Sequence, residues 1–250
     1  MSDTSISPIR IGLIVPSGGP EADYYRFEES NLGVYKLYIT ISRVGGDSGN
    51  DHDVNALKET GQIEWILEAA ERLISFSPDV YYWACTSASF VGGRAYAIQQ
   101  IEEIARATQK PASSTSMGFA MAAQSCGLSK VSILATYPEP IARLFQGFLG
   151  DFGIETVSMD WLGAPSGWDA SKIQAAVISK FAREVMHPDA EALLIPDTAL
   201  PSLHFIEALE SELGRPVITA NAVTLWDALR LCDRQPSLTG LGQLLSGSLQ

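Results

Sequence analysis

One cysteine followed closely by hydroxyl side chains is the feature of this chain that is best suited to chemistry. An apolar run over residues 80–84 ends in Cys85, and Thr86 and Ser87 come directly after it. A thiol in a pocket acts as a nucleophile or as a proton donor, whereas short hydroxyl side chains bind a carboxylate or an oxyanion. The alternative interpretation is that Cys85 is a small buried apolar side chain, as free cysteines often are.

The elements around Cys85 are those of a parallel β-sheet. An apolar run of strand length that ends in polar residues is typical of a buried strand that delivers side chains to a pocket at its carboxyl end. A helix-like segment follows, and free N–H groups at its start favour a thiolate over a thiol. The spacing of apolar residues also predicts helices over 62–76 and 202–213. Strands and helices alternate in this way along the chain, which predicts an α/β fold with parallel sheets.

Three pairs of segments echo each other in the same order, which indicates two similar halves in tandem. Residues 10–16 resemble 130–136, 80–86 resemble 192–198, and 110–114 resemble 215–219. We therefore predict two pseudo-symmetric flavodoxin-like domains, 1–115 and 116–220, with residues 221–250 returning to the first. Cys85 and Asp197 occupy matching strand ends, so they are expected on opposite walls of one cleft. Chance similarity between buried strands is the alternative.

Composition and charge exclude several classes of function. The chain has 250 residues and a formal net charge of −12, which argues against nucleic acid or an acidic membrane surface as a partner. No apolar run approaches the ~20 residues of a membrane helix, and the N-terminus lacks the pattern of a signal peptide, so a cytoplasmic location is expected. The three cysteines show neither metal-ligand spacing nor a disulfide framework, and no GxGxxG motif marks a dinucleotide site.

Several segments together resemble one family of enzymes. They are residues 12–16 (GLIVP), 84–90 (ACTSASF), 135–137 (ATY), 216–221 (PVITAN) and 224–231 (TLWDALRL). They resemble the maleate isomerase and arylmalonate decarboxylase family, within the aspartate/glutamate racemase superfamily. The resemblance implies two pseudo-symmetric domains, a cleft between them, no metal or organic cofactor, and carbon-acid chemistry on a small carboxylate or dicarboxylate. It is compatible with a homo-oligomer.

The same resemblance assigns roles to individual residues. Cys85 matches the nucleophilic cysteine of the isomerases, where the decarboxylases usually have glycine, and Asp197 falls where the family has a second cysteine. Here Ser17-Gly18-Gly19 stands where the isomerases carry Ser-Ser-Asn, which is closer to the decarboxylases. Cys85 and Asp197 are thus the expected catalytic residues, and no residue is assigned to a metal. The expected substrate-binding residues are Ser17, Gly18, Thr86, Ser87, Tyr137 and Thr198.

The pairing of a thiol with a carboxylate disfavours a two-base racemase, since an aspartate is a far poorer base than a thiolate. Two reactions need only one cysteine. Thiolate addition and departure would make the protein a cis–trans isomerase, which the position of Cys85 favours, whereas protonation of an enediolate by Cys85 would make it a decarboxylase. A protein that binds a carboxylate without turnover is a further alternative.

Two residues have competing interpretations. Asp197 stands at a strand-to-helix junction, where an aspartate often caps the next helix, here the one expected over 202–213. His52 lies in the polar loop 45–53, which is expected to be a solvated loop or a mobile lid.

Overall fold

Within the residues that the structure describes, eight strands form two parallel four-stranded sheets with the same topology. The computed structural model describes residues 7–19, 21–47 and 49–249. The strands are β1 (Ile9–Val15), β2 (Tyr35–Ile41), β3 (Val80–Trp83), β4 (Ala112–Ser114), β5 (Lys130–Ala135), β6 (Glu155–Trp161), β7 (Ala192–Ile195) and β8 (Val217–Thr219). Their orders are β2-β1-β3-β4 and β6-β5-β7-β8. The first to fourth strands of each half therefore occupy the same positions in the two sheets. This confirms the α/β fold with two similar parallel sheets.

Helices flank both sheets. They are α1 (Glu21–Ser30), α2 (Val54–Thr60), α3 (Ile63–Glu71), α4 (Ser87–Phe90), α5 (Gly93–Thr108), α6 (Thr115–Ser125), α7 (Glu139–Gly150), α8 (Gly167–Ala170), α9 (Ala175–Val185), α10 (Ile206–Leu213), α11 (Ala220–Leu231) and α12 (Gly242–Ser246). Because helices cover both faces, the central strands are apolar throughout rather than alternating. All four residues of β3 and all four of β7 are buried.

The helix expected over residues 62–76 is interrupted. Helix α3 ends at Glu71, and a separate 3₁₀ turn covers Ile74–Phe76. Ser77 then adopts the left-handed conformation with φ 50°. Pro78 follows it, and a residue before proline is disfavoured in the right-handed helical region. The left-handed Ser77 thus ends the 3₁₀ turn, whereas α3 itself ends five residues before the predicted end at Phe76.

Helices α6 and α11 occupy equivalent positions and join the two halves. Each follows the last strand of its sheet, and the two pack against each other. Helix α11 also packs on β3 and β4, where the buried Asp227 carboxylate accepts hydrogen bonds from the hydroxyls of Tyr82 (3.2 Å) and Ser113 (2.6 Å). This packing anchors the strand that leads to Cys85. The exact domain boundaries inferred from the sequence stay a prediction.

Candidate active site

The two halves meet at a small cavity beyond the carboxyl ends of their strands. It has a volume of about 40 Å³, and Cys85 from the first half and Asp197 from the second both line it. Because parallel strands end at the same edge of a sheet, this is where ligands bind in open α/β folds. The remaining described residues that line it are Pro16, Ser17, Val44, Asp51, His52, Leu57, Thr60, Ser87, Gly167, Thr198 and Ala199.

Cys85 is a buried thiol with acidic neighbours. It follows β3 directly and is 4% exposed. Burial raises the pKa of Cys85 to about 12, and the carboxylates of Asp197 and Asp51 add to this effect. The Ala88 N–H and the Ser87 side chain act in the opposite direction without overcoming it. At neutral pH Cys85 is therefore a protonated thiol, which differs from the thiolate that the strand-to-helix position suggested.

Asp197 is held in a strained conformation at the end of β7. Its φ is 110°, a region that residues other than glycine rarely adopt and that is concentrated at functional sites. One carboxylate oxygen accepts a hydrogen bond from the Thr136 hydroxyl at 2.5 Å, and the other accepts from the Ala199 N–H at 2.9 Å. Burial raises the pKa of Asp197 above its ordinary value, although His52 and these hydrogen bonds oppose the shift.

Asp197 does not cap a helix. The next helix, α10, begins at Ile206 with Phe205 at its N-cap position. Residues 198–205 form turns instead, with the Leu200 N–H donating to the Asp197 carbonyl at 3.3 Å. The capping interpretation is therefore wrong, and so is the predicted start of the helix at residue 202.

His52 lines the cavity, whereas the sequence predicts only a polar loop at this position. Its side chain is 4% exposed, so it is not solvated. The ring Nδ1 lies 2.8 Å from the Ala164 carbonyl oxygen, and the His52 N–H donates to the Pro165 carbonyl at 3.0 Å. Its Nε2 lies 3.9 Å from Asp197 Oδ2. A lone histidine in a polar, glycine-rich stretch carries no periodic signal, and the contacts that bury it come from residues more than 100 positions away.

The loop that carries His52 links the two halves. Asp51 Oδ2 accepts a hydrogen bond from the Gly167 N–H at 2.9 Å, next to the contacts of His52 with the same segment. This segment follows β6 of the second half, so these contacts hold Asp51 and His52 against that half at the cavity. Other members of the loop, such as Asp47 and Asn50, are exposed.

The expected substrate-binding residues divide into three groups. Ser17, Ser87 and Thr198 line the cavity itself, whereas Gly18 lines the pocket next to it. Thr86 and Tyr137 are buried and do not line the cavity surface.

Tyr137 lies directly behind the cavity. Its ring packs edge-on against His52 at 4.9 Å between centroids, and its hydroxyl lies beside Thr86 and Ser87. The hydroxyls of Thr86 and Tyr137 have no hydrogen-bond partner among the described residues. A buried hydroxyl without a hydrogen-bond partner costs free energy. A hydrogen bond to a nearby ligand oxygen would recover that free energy.

A larger pocket adjoins the cavity. It has a volume of about 500 Å³ and shares Ser17, Val44 and Asp51 with the cavity. Its other walls include the backbone of glycines 45, 46 and 49 and the side chain of Trp168, which is 71% exposed. A small-molecule site commonly needs about 300 Å³ or more, so the cavity and this pocket are best considered together.

Neither pocket carries a strong cation. Among the described residues that line them there is no Lys or Arg, while Asp47, Asp51 and Asp197 are present. Within the described part of the chain, no group of three or more His, Cys, Asp or Glu side chains is placed to hold a metal ion. No helix in that part is both long and apolar enough to span a bilayer.

Comparison with known proteins identifies the family. A family model for arylmalonate decarboxylases matches residues 54–245, which is most of the chain. This protein therefore belongs to the arylmalonate decarboxylase family, as the sequence resemblance indicated. The match spans the segments that supply Cys85, Asp197 and helix α11.

Named relatives include both kinds of enzyme in the predicted family. The chain is 23% identical to an arylmalonate decarboxylase of Bordetella bronchiseptica over 68% of its own length and 71% of the relative. It is 25% identical to a maleate isomerase of Nocardia farcinica over 94% and 95% of the two chains. A solved structure of a Nocardia farcinica maleate cis-trans isomerase, a cysteine-to-serine mutant with a covalently bound succinylcysteine intermediate, superposes with a TM-score of 0.86, 21% identity and coverage of 95% and 98%.

Proposed function

We propose that this protein is a decarboxylase that removes CO₂ from a small substituted malonate, with Cys85 as the proton donor. The observation that carries the proposal is a buried thiol in a cavity whose walls also bear the carboxyl groups of Asp51 and Asp197. Sequence reasoning alone leaned towards the isomerase because of the position of Cys85. The charges and the burial around the thiol favour the decarboxylase.

The charge balance separates the two reactions. Thiolate addition to a cis dicarboxylate places three negative charges in a cavity without Lys or Arg among its described lining residues. Decarboxylation places two there beside a neutral thiol, and proton transfer then leaves one on the product and one on the Cys85 thiolate. Like charges close together in a poorly solvated site are costly, so the reaction that places fewer negative charges in the cavity is favoured.

The proposed binding mode uses the polar and the apolar lining residues of the cavity. One carboxylate accepts hydrogen bonds from the hydroxyls of Ser87 and Thr198 that line the cavity, and from the unpaired Tyr137 hydroxyl beside Ser87. The other lies against the apolar side chains of Pro16, Val44 and Leu57, where a carboxylate is poorly solvated and its loss as CO₂ is favoured. The substituent of the malonate extends into the adjoining pocket, because the cavity of about 40 Å³ has no room for it.

The chemical step needs one acid. The bond between the α-carbon and the departing carboxylate breaks, and its electron pair forms an enediolate that the hydroxyl groups stabilise. The S–H bond of Cys85 then breaks as its proton passes to the α-carbon. A thiol with a pKa of about 12 is still far more acidic than the carbon acid formed, so this transfer is downhill. Cys85 is left as a thiolate.

Proton NMR in D₂O tests the proposal. Methylmalonate and phenylmalonate would be incubated with wild type, Cys85→Ala and the matched control Cys232→Ala. We expect loss of CO₂ with one deuteron gained at the α-carbon in wild type and Cys232→Ala, and its absence in Cys85→Ala. Turnover in Cys85→Ala at the rate of wild type would overturn the role of Cys85. No turnover with retained ligand binding would favour a non-catalytic carboxylate-binding protein.

A maleate-type isomerase is the second candidate, favoured by the position of Cys85 at the end of β3. That is the place of the isomerase nucleophile in the family resemblance, and one related isomerase structure holds a succinylcysteine. The same NMR experiment with maleate decides between the candidates, since fumarate formation together with a succinyl adduct on Cys85 by mass spectrometry identifies the isomerase. Deuterium exchange at the α-carbon of amino acids would identify a racemase.

A further inference from the structure

The proposed function leaves one buried titratable side chain of the cavity without a role. His52 lines the cavity with Cys85 and Asp197, although it belongs to a loop of the first half. Its ring is fixed by the second half through the Ala164 carbonyl. A histidine that served only to close the loop would not need its second nitrogen directed at a carboxylate inside the cavity.

The orientation of the His52 ring fixes the role of each nitrogen. A carbonyl oxygen only accepts hydrogen bonds, so Nδ1 must carry a hydrogen and donate it to Ala164 at 2.8 Å. In the neutral ring Nε2 is then an acceptor, and it lies 3.9 Å from Asp197 Oδ2. That separation is too long for a direct hydrogen bond. One small polar group that lies about 2.8 Å from each of the two atoms can bridge them.

The pair needs one proton. A neutral Nε2 and an ionised carboxylate would present two lone pairs to each other, which is unfavourable, and one proton on either group removes the conflict. The Thr136 hydroxyl and the Ala199 N–H already occupy other acceptor positions of Asp197. The other titratable groups that face the pair are Cys85, Tyr137 and Asp51, and when ionised each of them favours a proton on the pair.

We propose that His52 and Asp197 together hold one exchangeable proton that restores the Cys85 thiol after each turnover. This inference rests on the proposed function, in which Cys85 is left as a thiolate. The Nε2–H bond of His52 breaks, its proton forms the new S–H bond, and the ring becomes neutral. Water then reprotonates the pair, so the cycle consumes one solvent proton for each CO₂ released and needs no other reactant.

The variant His52→Asn tests this step while preserving the loop. An asparagine amide can donate to the Ala164 carbonyl much as Nδ1 does, but it places nothing at the position of Nε2. In rapid-quench measurements with excess phenylmalonate, we expect His52→Asn to release one CO₂ per active site at the wild-type rate. Later turnovers should then be slower by about 100-fold or more, since general acid catalysis contributes that much.

His187→Asn is the matched control, because His187 is 44% exposed and lies outside the cavity. We expect it to release CO₂ linearly like wild type. A linear wild-type rate in His52→Asn would overturn the inference and leave the proposed function intact. Equal slowing of the first and later turnovers would also overturn it, since that pattern belongs to a residue that only positions the loop.

Alkylation of Cys85 by iodoacetamide tests the pair even if wild type shows no decarboxylation. The pH dependence of the rate would be compared in wild type, His52→Asn and Asp197→Asn, with thermal midpoints to verify folding. Removing His52 leaves an uncompensated carboxylate, so the thiol should titrate at higher pH than in wild type. Removing the Asp197 charge should lower that pH. Identical pH profiles in the three proteins would mean that the pair shares no proton beside Cys85.

Discussion

The ends of β3 and β7 are equivalent in topology but differ in how they hold their functional side chains. After β3, Cys85 leads at once into the short helix α4, with ordinary backbone conformation. After β7, Asp197 has φ 110° and leads into turns, and α10 begins only at Ile206. The first half thus presents a thiol beside the Ala88 N–H, whereas the second presents a carboxylate that accepts hydrogen bonds from two protein donors.

The difference explains how a symmetric fold can support asymmetric chemistry. Two equivalent thiols would serve both faces of a carbon atom equally, as racemisation requires. Here one wall carries a weak acid with a pKa of about 12, and the other carries a carboxylate whose Oδ2 lies 3.9 Å from His52 Nε2. A single proton donor with a separate means of reprotonation suits a reaction that delivers a proton to one face only.

The largest expected effect comes from the thiol of the first half. Cys85→Ala should lower kcat for decarboxylation by about 10²- to 10⁴-fold, the usual contribution of a general acid. Cys126→Ala changes the half-buried thiol at the end of α6 and should leave kcat within a factor of two of wild type. Steady-state CO₂ release measures both. If Asp197→Asn removes more activity than Cys85→Ala, the assignment of the acid to the first half is wrong.

Substitutions of two buried tyrosines should affect substrate binding and fold stability differently. Tyr82 donates hydrogen bonds to the Ser114 carbonyl and to Asp227, so Tyr82→Phe should destabilise the fold by about 1–3 kcal/mol. The Tyr137 hydroxyl has no partner among the described residues, so Tyr137→Phe removes an unpaired buried group and should leave the fold at least as stable as wild type. It should still raise KM about tenfold, because a lost hydrogen bond to a charged group costs about 1.5 kcal/mol or more. Urea unfolding and initial rates distinguish the two, and a large loss of stability in Tyr137→Phe would contradict the prediction.

The carboxylate of the second half should make stability depend on pH. The folded state raises the pKa of Asp197 above its ordinary value of 3.8, so this group favours folding below that pH and loses its contribution as pH rises through the folded pKa. Asp197→Asn replaces this titratable carboxyl group with a neutral amide. Its thermal midpoint relative to wild type should therefore be higher at pH 7 than at pH 3.5, as differential scanning calorimetry would show. A constant difference between the two pH values would mean that the pKa of Asp197 is not raised.

The smallest effect should come from the larger pocket, to which the second half contributes Trp168. Because this side chain is 71% exposed, Trp168→Ala should leave the thermal midpoint unchanged. We expect it to raise KM for phenylmalonate about threefold through lost apolar contact, with no change for methylmalonate. Competition assays between the two substrates measure the ratio directly. An equal rise in KM for both substrates would mean that the phenyl group does not lie against Trp168.

The sequence predicted the architecture well because its signals are local. Apolar runs of strand length, the amphipathic spacing in residues 62–76 and the repeated segments each depend on neighbouring residues. They were sufficient for the parallel sheets and for placing Cys85 and Asp197 at equivalent strand ends. The errors fell at the boundaries, where the helix predicted over 62–76 ends at Glu71 and the turns after Asp197 delay another helix to Ile206.

The chemistry of the site depended on contacts that no local pattern reveals. The pKa of Cys85 is set by burial and by carboxyl groups from Asp51 and Asp197, which are distant in sequence. His52 becomes a cavity residue only because Ala164 and Pro165 bind it across the two halves. Residue types and spacing thus determined the fold and which thiol to consider, whereas tertiary packing decided its protonation state and partners, because desolvation and Coulomb interactions act through space.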